Sequence, residues 1–304
     1  MEFHSQNSSA ETMCDALTPA DSGACWFNAI TSFVSYDGGR NFSRLRPAPD
    51  HLVAAQPYKM PPGGPGPGNK KSPMGYEAPS NIVRSPKDGY FYAAMQTWSF
   101  GAQQSGSEWQ SMHGGWNGSG NCFIRTRQLT DPKSWRGWSG KTESWDVSFV
   151  DPYNDAPGSF VPADHVCTPV LNLGYPSIGW SSYYKKFIAV GSKIWDCSDI
   201  MFALSDDLVN WSAPYPLYQP ICHTASPNTS YYAEIYPSLI DPASPSPNFD
   251  VIGQRPYIYF MTFHDNVKAP SGGTTVVRSI QRRPLEMGGA GPCGVEVQPD
   301  REGG

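Results

Sequence analysis

A segment that recurs along the chain decides the fold, and its first copy is APSNIVRSPKDGYFYAAM at residues 78–95. It opens with a proline–serine pair and a short apolar run, and after a turn comes a second run rich in aromatic residues. Residues 175–190, YPSIGWSSYYKKFIAV, follow the same order. Residues 236–240, YPSLI, and 256–261, PYIYFM, form a third copy. Aromatic and β-branched residues favour strands, so each copy predicts two antiparallel strands joined by a turn.

A further strand accompanies these pairs, and it usually leads into a polar turn that ends on an aromatic residue. The segments with this strand pattern are residues 29–35, 122–127, 200–205 and 274–279. Repeated units of antiparallel strands are the sequence mark of a β-propeller. The alternative is a β-sandwich in which the similarity between segments is accidental.

The repeats predict an all-β protein, a β-propeller of the five-bladed type that lacks the first blade and part of the second. The predicted domain covers residues 1–286, with a partial blade at 1–56, blades at 74–150, 165–220 and 230–286, and a flexible tail at 287–304. Residues 1–4, MEFH, resemble residues 261–264, MTFH, which end a second strand. We therefore expect the chain to begin inside a blade, as a truncated form of a longer parent.

Composition excludes several classes of protein. Of the 304 residues, 30 are Gly and 30 are Pro, and this content rules out a long helical bundle. The formal net charge of −5 argues against a general nucleic-acid binder. No apolar run reaches the length of about 18 residues that a membrane-spanning helix needs. We expect neither nucleic acid nor membrane as a partner, and a monomer.

The seven cysteines are scattered and form no C-x-x-C pair. Such usage in a Gly- and Pro-rich chain is typical of an oxidising compartment. Cys14 and Cys25 bracket a short polar loop and could pair, while the remaining connectivity stays open. The first 12 residues are polar and form no signal peptide. We expect a full-length parent that is secreted or periplasmic.

Two glutamates are the predicted catalytic groups. The innermost strands of a propeller line a central funnel, and Glu77 and Glu234 stand where two of these strands begin. Glycoside hydrolysis needs two carboxyl groups, of which one protonates the leaving oxygen and the other activates water or attacks the sugar. An aromatic-walled pocket would supply the raised pKa that the acid requires.

Substrate contacts are expected from aromatic rings, whose faces suit the apolar faces of sugars, and from polar residues near the funnel. The predicted contacts are Tyr76, Trp98, Trp109, Trp116, Tyr175, Tyr236, Glu2 and His4. His264 is a predicted ligand of a structural ion such as calcium. No cofactor is expected to be required.

The residues from Tyr76 to Arg84, followed by Gly89-Tyr90-Phe91-Tyr92, resemble the third-blade motif of glycoside hydrolase family 43 and its five-bladed relatives. In that family the motif is Glu, a small residue, Pro, apolar residues, a basic residue, then Gly-Tyr-aromatic-Tyr. The resemblance implies that Glu77 is the general acid and that the partner is an oligo- or polysaccharide of plant or microbial origin. It also implies that the family's base and pKa-tuning aspartates, on blades one and two, are missing, so that this chain alone would be weakly active or inactive.

Two other functions remain open at the level of sequence. A non-catalytic carbohydrate-binding propeller would lack a second carboxylate about 5–10 Å from Glu77. A sialidase-like or lyase propeller is indicated by residues 37–42, DGGRNF, which resemble the Asp-box turn of sialidases. That reading requires basic residues clustered in the funnel, whereas Arg125, Arg127 and Arg278 are predicted on third strands, away from it.

Overall fold

The computed structural model describes residues 2–4, 26–57, 74–98, 120–155, 158–193, 199–221, 232–268, 274–288 and 295–297. Within these ranges the regular structure is β-strand, apart from two short 3-10 helices at Pro132–Ser134 and Pro162–His165. The prediction of an all-β chain is confirmed. No helix in the described part is long and apolar enough to cross a membrane.

The chain divides into two compact units. Unit 1 comprises residues 1–79 and 87–171, and unit 2 comprises residues 80–86 and 172–304. With strands numbered along the whole chain, unit 1 contains β1 (Glu2–His4), β2 (Trp26–Asn28), β3 (Ile30–Thr31), β4 (Phe33–Val34), β5 (Ser43–Arg44), β6 (Leu52–Ala54), β7 (Met74–Glu77), β9 (Phe91–Trp98), β10 (Gly120–Thr126), β11 (Arg136–Ser139) and β12 (Ser144–Val147). Unit 2 contains β8 (Val83–Arg84), β13 (Gly174–Ser181), β14 (Lys186–Ser192), β15 (Ile200–Ser205), β16 (Tyr215–Tyr218), β17 (Tyr232–Ile240), β18 (Val251–Ile252), β19 (Tyr257–Lys268), β20 (Thr274–Met287) and β21 (Val295–Val297).

The main sheet of unit 1 has the strand order β1-β2-β7-β9-β10-β11-β12. Strands β2 and β7 are parallel, and the other neighbours are antiparallel. Residues 29–35, expected to form one strand, are divided between β3 and β4, which pair separately with β6 and β5. A buried disulfide joins Cys122 to Cys167 within the apolar core of this unit. The pairing considered for Cys14 and Cys25 lies outside the described residues.

Unit 2 contains two antiparallel sheets of the kind expected for blades. The first runs β16-β15-β14-β13, with β18 added in parallel to β13, and the second runs β17-β19-β20-β21. Residues 287–304, expected to be a flexible tail, include a buried Met287 and the strand β21, which pairs with the end of β20. Closure of the whole chain into a five-bladed propeller stays a prediction.

The first copy of the repeat departs from the pattern at its proline. Strand β7 ends at Glu77, and Ala78 then has a φ of +44°, which an L-residue rarely adopts. Pro79 has no N–H to donate to a strand ladder, and the predicted strand over residues 78–83 is reduced to β8. The side chain of Asn81 makes two hydrogen bonds of the kind that a neighbouring strand would make. It donates to the carbonyl oxygen of Ile178 over 2.7 Å and accepts from the Ile178 N–H over 2.9 Å.

Candidate active site

The proline of each copy provides a reference for placing the two glutamates. The residue before the proline has a positive φ in all three copies: Ala78 +44°, Tyr175 +48° and Tyr236 +57°. Glu77 lies two positions before its proline, whereas Glu234 lies three positions before its own. Because successive strand residues point to opposite faces, the two glutamates occupy different faces of their respective strands. Tyr76, rather than Glu77, is the counterpart of Glu234.

Glu77 is held by the neighbouring parallel strand. Its carboxyl is on a residue only 9% exposed, and Asn28 donates from Nδ2 to Oε2 of Glu77 over 2.5 Å. The register places Asn28 opposite Gly75, so that the two strands approach closely. Gly75 has a φ of +118°, and a side chain there would collide with the carbonyl oxygen of Asn28. The glycine is therefore required for the contact that positions the acid.

A row of polar residues extends from Glu77 across three strands. Gln96 of β9 is opposite Glu77, and Asn121 of β10 is opposite Gln96. Residues directly opposite in an antiparallel pair share a face. Gln96 is 1% exposed, and neither of its side-chain amide atoms has a hydrogen-bond partner among the described residues. A buried amide in this condition costs about 1–3 kcal/mol.

Glu234 has a different environment. Its carboxylate accepts from the hydroxyl of Tyr218 over 2.6 Å, from the hydroxyl of Tyr232 over 3.0 Å and from the N–H of Ile221 over 3.0 Å. These three donors occupy both oxygens of a residue that is almost fully buried. Burial, followed by the hydrogen bond to Glu234, raises the pKa of Tyr232 to about 12 and raises the pKa of Tyr218 for the same reasons. Three donors on one buried carboxylate indicate a structural role for Glu234.

Tyr76 is a core residue of unit 1. It has no exposed surface, and its hydroxyl accepts from the N–H of Cys167 over 3.0 Å. Its ring meets Phe149 edge to face at 5.6 Å between centroids. The face of β7 opposite to Glu77 is thus committed to packing, and nothing of Tyr76 is left to touch a substrate.

Two of the predicted substrate contacts come together in unit 2. The rings of Tyr175 and Tyr236 meet at 4.8 Å in a T-shaped pair. Tyr236 is 38% exposed and also contacts Phe263 at 5.9 Å. Both tyrosines have a positive φ and lie at register shifts inside their strands, β13 and β17.

Several predicted residues are placed only in part. Trp109 and Trp116 lie outside the described residues, as do the side chains of Glu2, His4, Trp98 and His264. The backbone register sets Glu2 opposite Asn28, and Gly75 opposite Trp98, in one row across unit 1. His264 lies in β19, opposite Tyr232. In the described part of the chain, no three His, Cys, Asp or Glu side chains are grouped to hold a metal ion.

The Asp-box-like turn at residues 37–42 is held together by hydrogen bonds to Asp37. Asp37 accepts from the N–H groups of Arg40 and Asn41 and from the side chains of Asn41 and Ser35. These bonds, led by those from Asn41, lower the pKa of Asp37 to about 2. Asp207 makes the same contacts with Ser205 and Asn210 in unit 2. A turn closed by hydrogen bonds to an aspartate therefore occurs in each unit, and the sialidase-like function stays a prediction.

Sequence reasoning missed Asn28 and Gln96. Gln96 carried a signal, because with Thr97 it breaks the apolar run of residues 91–95 just where β9 passes β7. Asn28 gave no such signal in the sequence. Its role depends on the parallel pairing of Asn28 with Gly75, which is 47 positions away in the chain. The different offsets of Glu77 and Glu234 from their prolines were a second readable signal.

No family model matches the chain, and no curated protein matches it. Among solved structures, an N-acetylgalactosamine deacetylase from F. plautii is similar at 13% identity and a TM-score of 0.42, over 83% of this chain and 56% of its own. A family 117 glycoside hydrolase from Zobellia galactanivorans is similar at 10% identity and a TM-score of 0.34, over 74% and 56%. A GH43 protein from Bacillus licheniformis is similar at 13% identity and a TM-score of 0.31, over 89% and 52%. The chain spans little more than half the length of these three proteins.

Proposed function

We propose that this chain acts on a plant or microbial glycan as a glycoside hydrolase, with Glu77 as the general acid. The observation that carries the proposal is the nearly buried Glu77 carboxyl, bonded to Asn28 and opposite Gln96, whose amide has no hydrogen-bond partner among the described residues. A carboxyl in such a setting is suited to giving a proton to a glycosidic oxygen. The surrounding motif, which resembles that of family 43, supports the same role.

The amides beside Glu77 have a task in this mechanism. Asn28 donates to Oε2 of the proposed acid and so fixes the orientation of its carboxyl group. Gln96 offers two donors and an acceptor in the same row, and this set matches the hydroxyls of a sugar ring. Binding the sugar would remove the cost of a buried amide without partners, so substrate binding and orientation of the acid are coupled.

A hydrolase needs a second carboxyl group. Glu2 stays a proposed substrate contact, and the backbone register sets it opposite Asn28. Glu234 is assigned a structural role instead, because three donors already occupy it.

Tyr175 and Tyr236 are the proposed sugar contacts of unit 2. They form one aromatic pair, and the partly exposed ring of Tyr236 offers a surface on which a sugar can pack. The same pair supports the rival function, carbohydrate binding without catalysis. The two functions differ in whether Glu77 matters for turnover.

The proposal is tested by screening the chain against aryl glycosides and plant polysaccharides, with Glu77→Gln measured in parallel. We expect weak hydrolysis by the unchanged chain, in line with the missing aspartates that the family resemblance implies, and a loss of at least about 100-fold in the variant. Glu286→Gln is the matched control, because Glu286 forms a surface ion pair with Arg255 at 3.6 Å, a contact of little energetic weight. Polysaccharide binding by a folded chain that never cleaves would establish the non-catalytic function instead.

A further inference from the structure

A cavity in unit 1 is lined by positive side chains and lies far from Glu77 along the sheet. Its volume is about 400 Å³, and its lining includes Tyr90, Arg125, Arg127, Lys133, Arg136 and Trp145, which we call the basic pocket. Arg125 is opposite Tyr92 on β9, whereas Glu77 is opposite Gln96. Four residues of strand separate the two positions by roughly 14 Å. The buried Ala94 lies between them, so the basic pocket is a separate site.

Two of the four cations have carboxylate partners. Lys133 pairs with Asp50 at 2.6 Å, and Arg125 approaches Asp88 at 3.9 Å. A third carboxylate, Asp131, lines the cavity and accepts from the N–H of Lys133 over 3.0 Å. The exposed Lys133–Asp50 pair is of the type that contributes little to stability. These carboxylates therefore reduce the positive charge of the pocket only in part.

The other two cations contact no carboxylate among the described residues. Arg127 donates to the carbonyl oxygen of Asp88 over 3.3 Å. Arg136 donates to the carbonyl oxygens of Lys133 over 2.7 Å and Trp135 over 2.8 Å. A guanidinium has five N–H donors, so each arginine keeps several for a ligand. Their charges are not neutralised by the protein around them.

The guanidinium groups are held in place before any ligand arrives. Arg125 and Arg127 both stack on Tyr90, at 4.2 Å and 4.3 Å from the ring centroid. Arg125 also stands over Trp145 at 4.9 Å. Stacking restricts the side chains while their N–H edges remain available, which lowers the entropy lost on binding.

Unit 2 repeats part of this arrangement without the pocket. Arg282 is opposite Tyr259, donates to its hydroxyl over 3.3 Å and stacks on Tyr257 at 4.7 Å. Arg125 makes the same bond, also 3.3 Å, to the hydroxyl of Tyr92. The arginine–tyrosine pair is thus a structural feature of the repeat. It accounts for Arg125 but not for the three other cations that unit 1 adds around it.

We propose that the basic pocket binds an anionic group of a glycan, either the carboxylate of a uronic acid or a sulfate ester. Arginine edges match such oxyanions in a bidentate manner. The pocket gathers four cations, and two of them, Arg127 and Arg136, form no ion pair among the described residues of a chain whose net charge is −5. The identification of the anion as part of a glycan rests on the proposed function. The positive charge of the pocket is independent of that function.

Isothermal titration calorimetry tests the proposal with tetragalacturonate, a sulfated galactan tetrasaccharide and neutral xylotetraose. We expect one of the two anionic oligosaccharides to bind through the pocket, more weakly as salt is raised. Arg127→Gln and Arg136→Gln should each weaken that binding by about tenfold or more. Arg282→Gln is the matched control and should bind as the unchanged chain does. The two anionic ligands separate a carboxylate site from a sulfate site.

Three results would overturn the proposal. They are no binding of either anionic oligosaccharide, equal affinity in both pocket variants and the unchanged chain, or tighter binding of poly-glutamate than of any glycan. Melting curves confirm that each variant is folded, which we expect because Arg127 is exposed and Arg136 is partly exposed. Since the readout is binding and not turnover, a chain without hydrolytic activity still tests the pocket, and failure of the Glu77 mechanism is recorded separately.

Discussion

The side-chain amide of Asn28 donates to Oε2 of Glu77 over 2.5 Å, between two residues that are 1% and 9% exposed. The bond links neighbouring parallel strands, β2 and β7, which are far apart in the chain. A buried carboxyl is costly unless it is hydrogen-bonded. Asn28 therefore supports the fold of unit 1 and orients the proposed acid at the same time.

The Asn28 contact predicts a pH-dependent loss of stability. Asn28→Ala removes a donor from a nearly buried carboxyl, so the free energy of unfolding should fall by about 1–3 kcal/mol. Asn28→Asp sets a second carboxyl beside the first, and two like charges at this distance cannot both ionise cheaply. We expect it to be less stable than Asn28→Ala above about pH 5 and to recover as the pH falls. Urea denaturation at pH 4 and pH 7 measures both, and identical behaviour of the two variants at both pH values contradicts the contact.

Tyr76 is predicted to act through the core. In Tyr76→Phe the N–H of Cys167 loses its acceptor in a buried place, and the free energy of unfolding should fall by about 1–3 kcal/mol. Tyr36→Phe, at a side chain that is 88% exposed, should change it by less than about 0.5 kcal/mol. Chemical denaturation gives both values. Equal stability of the two variants would show that the Tyr76 bond contributes nothing.

The Tyr232–Glu234 contact predicts a limit to stability at alkaline pH. The pKa of Tyr232 is raised from 10.0 to about 12 by burial and by the bond to Glu234. A raised pKa stabilises the folded state fully below pH 10, and the contribution is lost as the pH rises through 12. Ultraviolet titration of tyrosinate, with denaturation at pH 9 and pH 11.5, should show the loss in the unchanged chain and a smaller one in Tyr232→Phe. Titration of Tyr232 near pH 10 would mean that Glu234 is free of this bond.

The Asp37 turn predicts an acidic titration. Its carboxylate is hydrogen-bonded mainly by Asn41, so that its pKa falls from 3.8 to about 2. The turn is therefore intact above the unfolded-state value and loosens as the pH falls toward 2. Carboxyl chemical shifts followed by NMR should show this midpoint and, in Asn41→Ala, a midpoint raised only part of the way toward the ordinary value, because alanine keeps the backbone N–H and loses the side-chain donor. An unchanged midpoint in the variant would assign the lowered pKa to another cause.

The sequence predicts the strands correctly where the preferences of the local residues determine them. Residues 200–205 form β15 as the run of apolar residues predicts, and residues 175–181 lie in β13 despite the proline because a bulge absorbs it. In the first copy the ladder ends at Glu77, although a positive φ also precedes the prolines that lie inside β13 and β17. Local patterning does not reveal how a strand tolerates a proline, since that depends on the neighbouring strand.

The sequence identifies Glu77 as a candidate site residue, but it does not predict which residues surround Glu77. A motif marks Glu77, but Asn28 reaches it only through the parallel pairing of β2 with β7. Glu234 looked equivalent because it also precedes a proline, yet a shift of one position turns it to the other face, where three donors bind it. The Cys122–Cys167 disulfide was equally hidden, because seven cysteines allow many pairings.

The most direct measurement of the central claim is the dependence of hydrolysis by Glu77→Gln on the leaving group of the substrate. A general acid matters most when the departing oxygen is basic, and it matters little for a dinitrophenyl glycoside. We predict that Glu77→Gln loses at least about 100-fold in kcat/KM on a polysaccharide or alkyl glycoside and far less on the dinitrophenyl substrate, while Glu286→Gln matches the unchanged chain on both. An equal loss on both substrates, or no loss on either, would contradict the assignment of Glu77 as the proton donor.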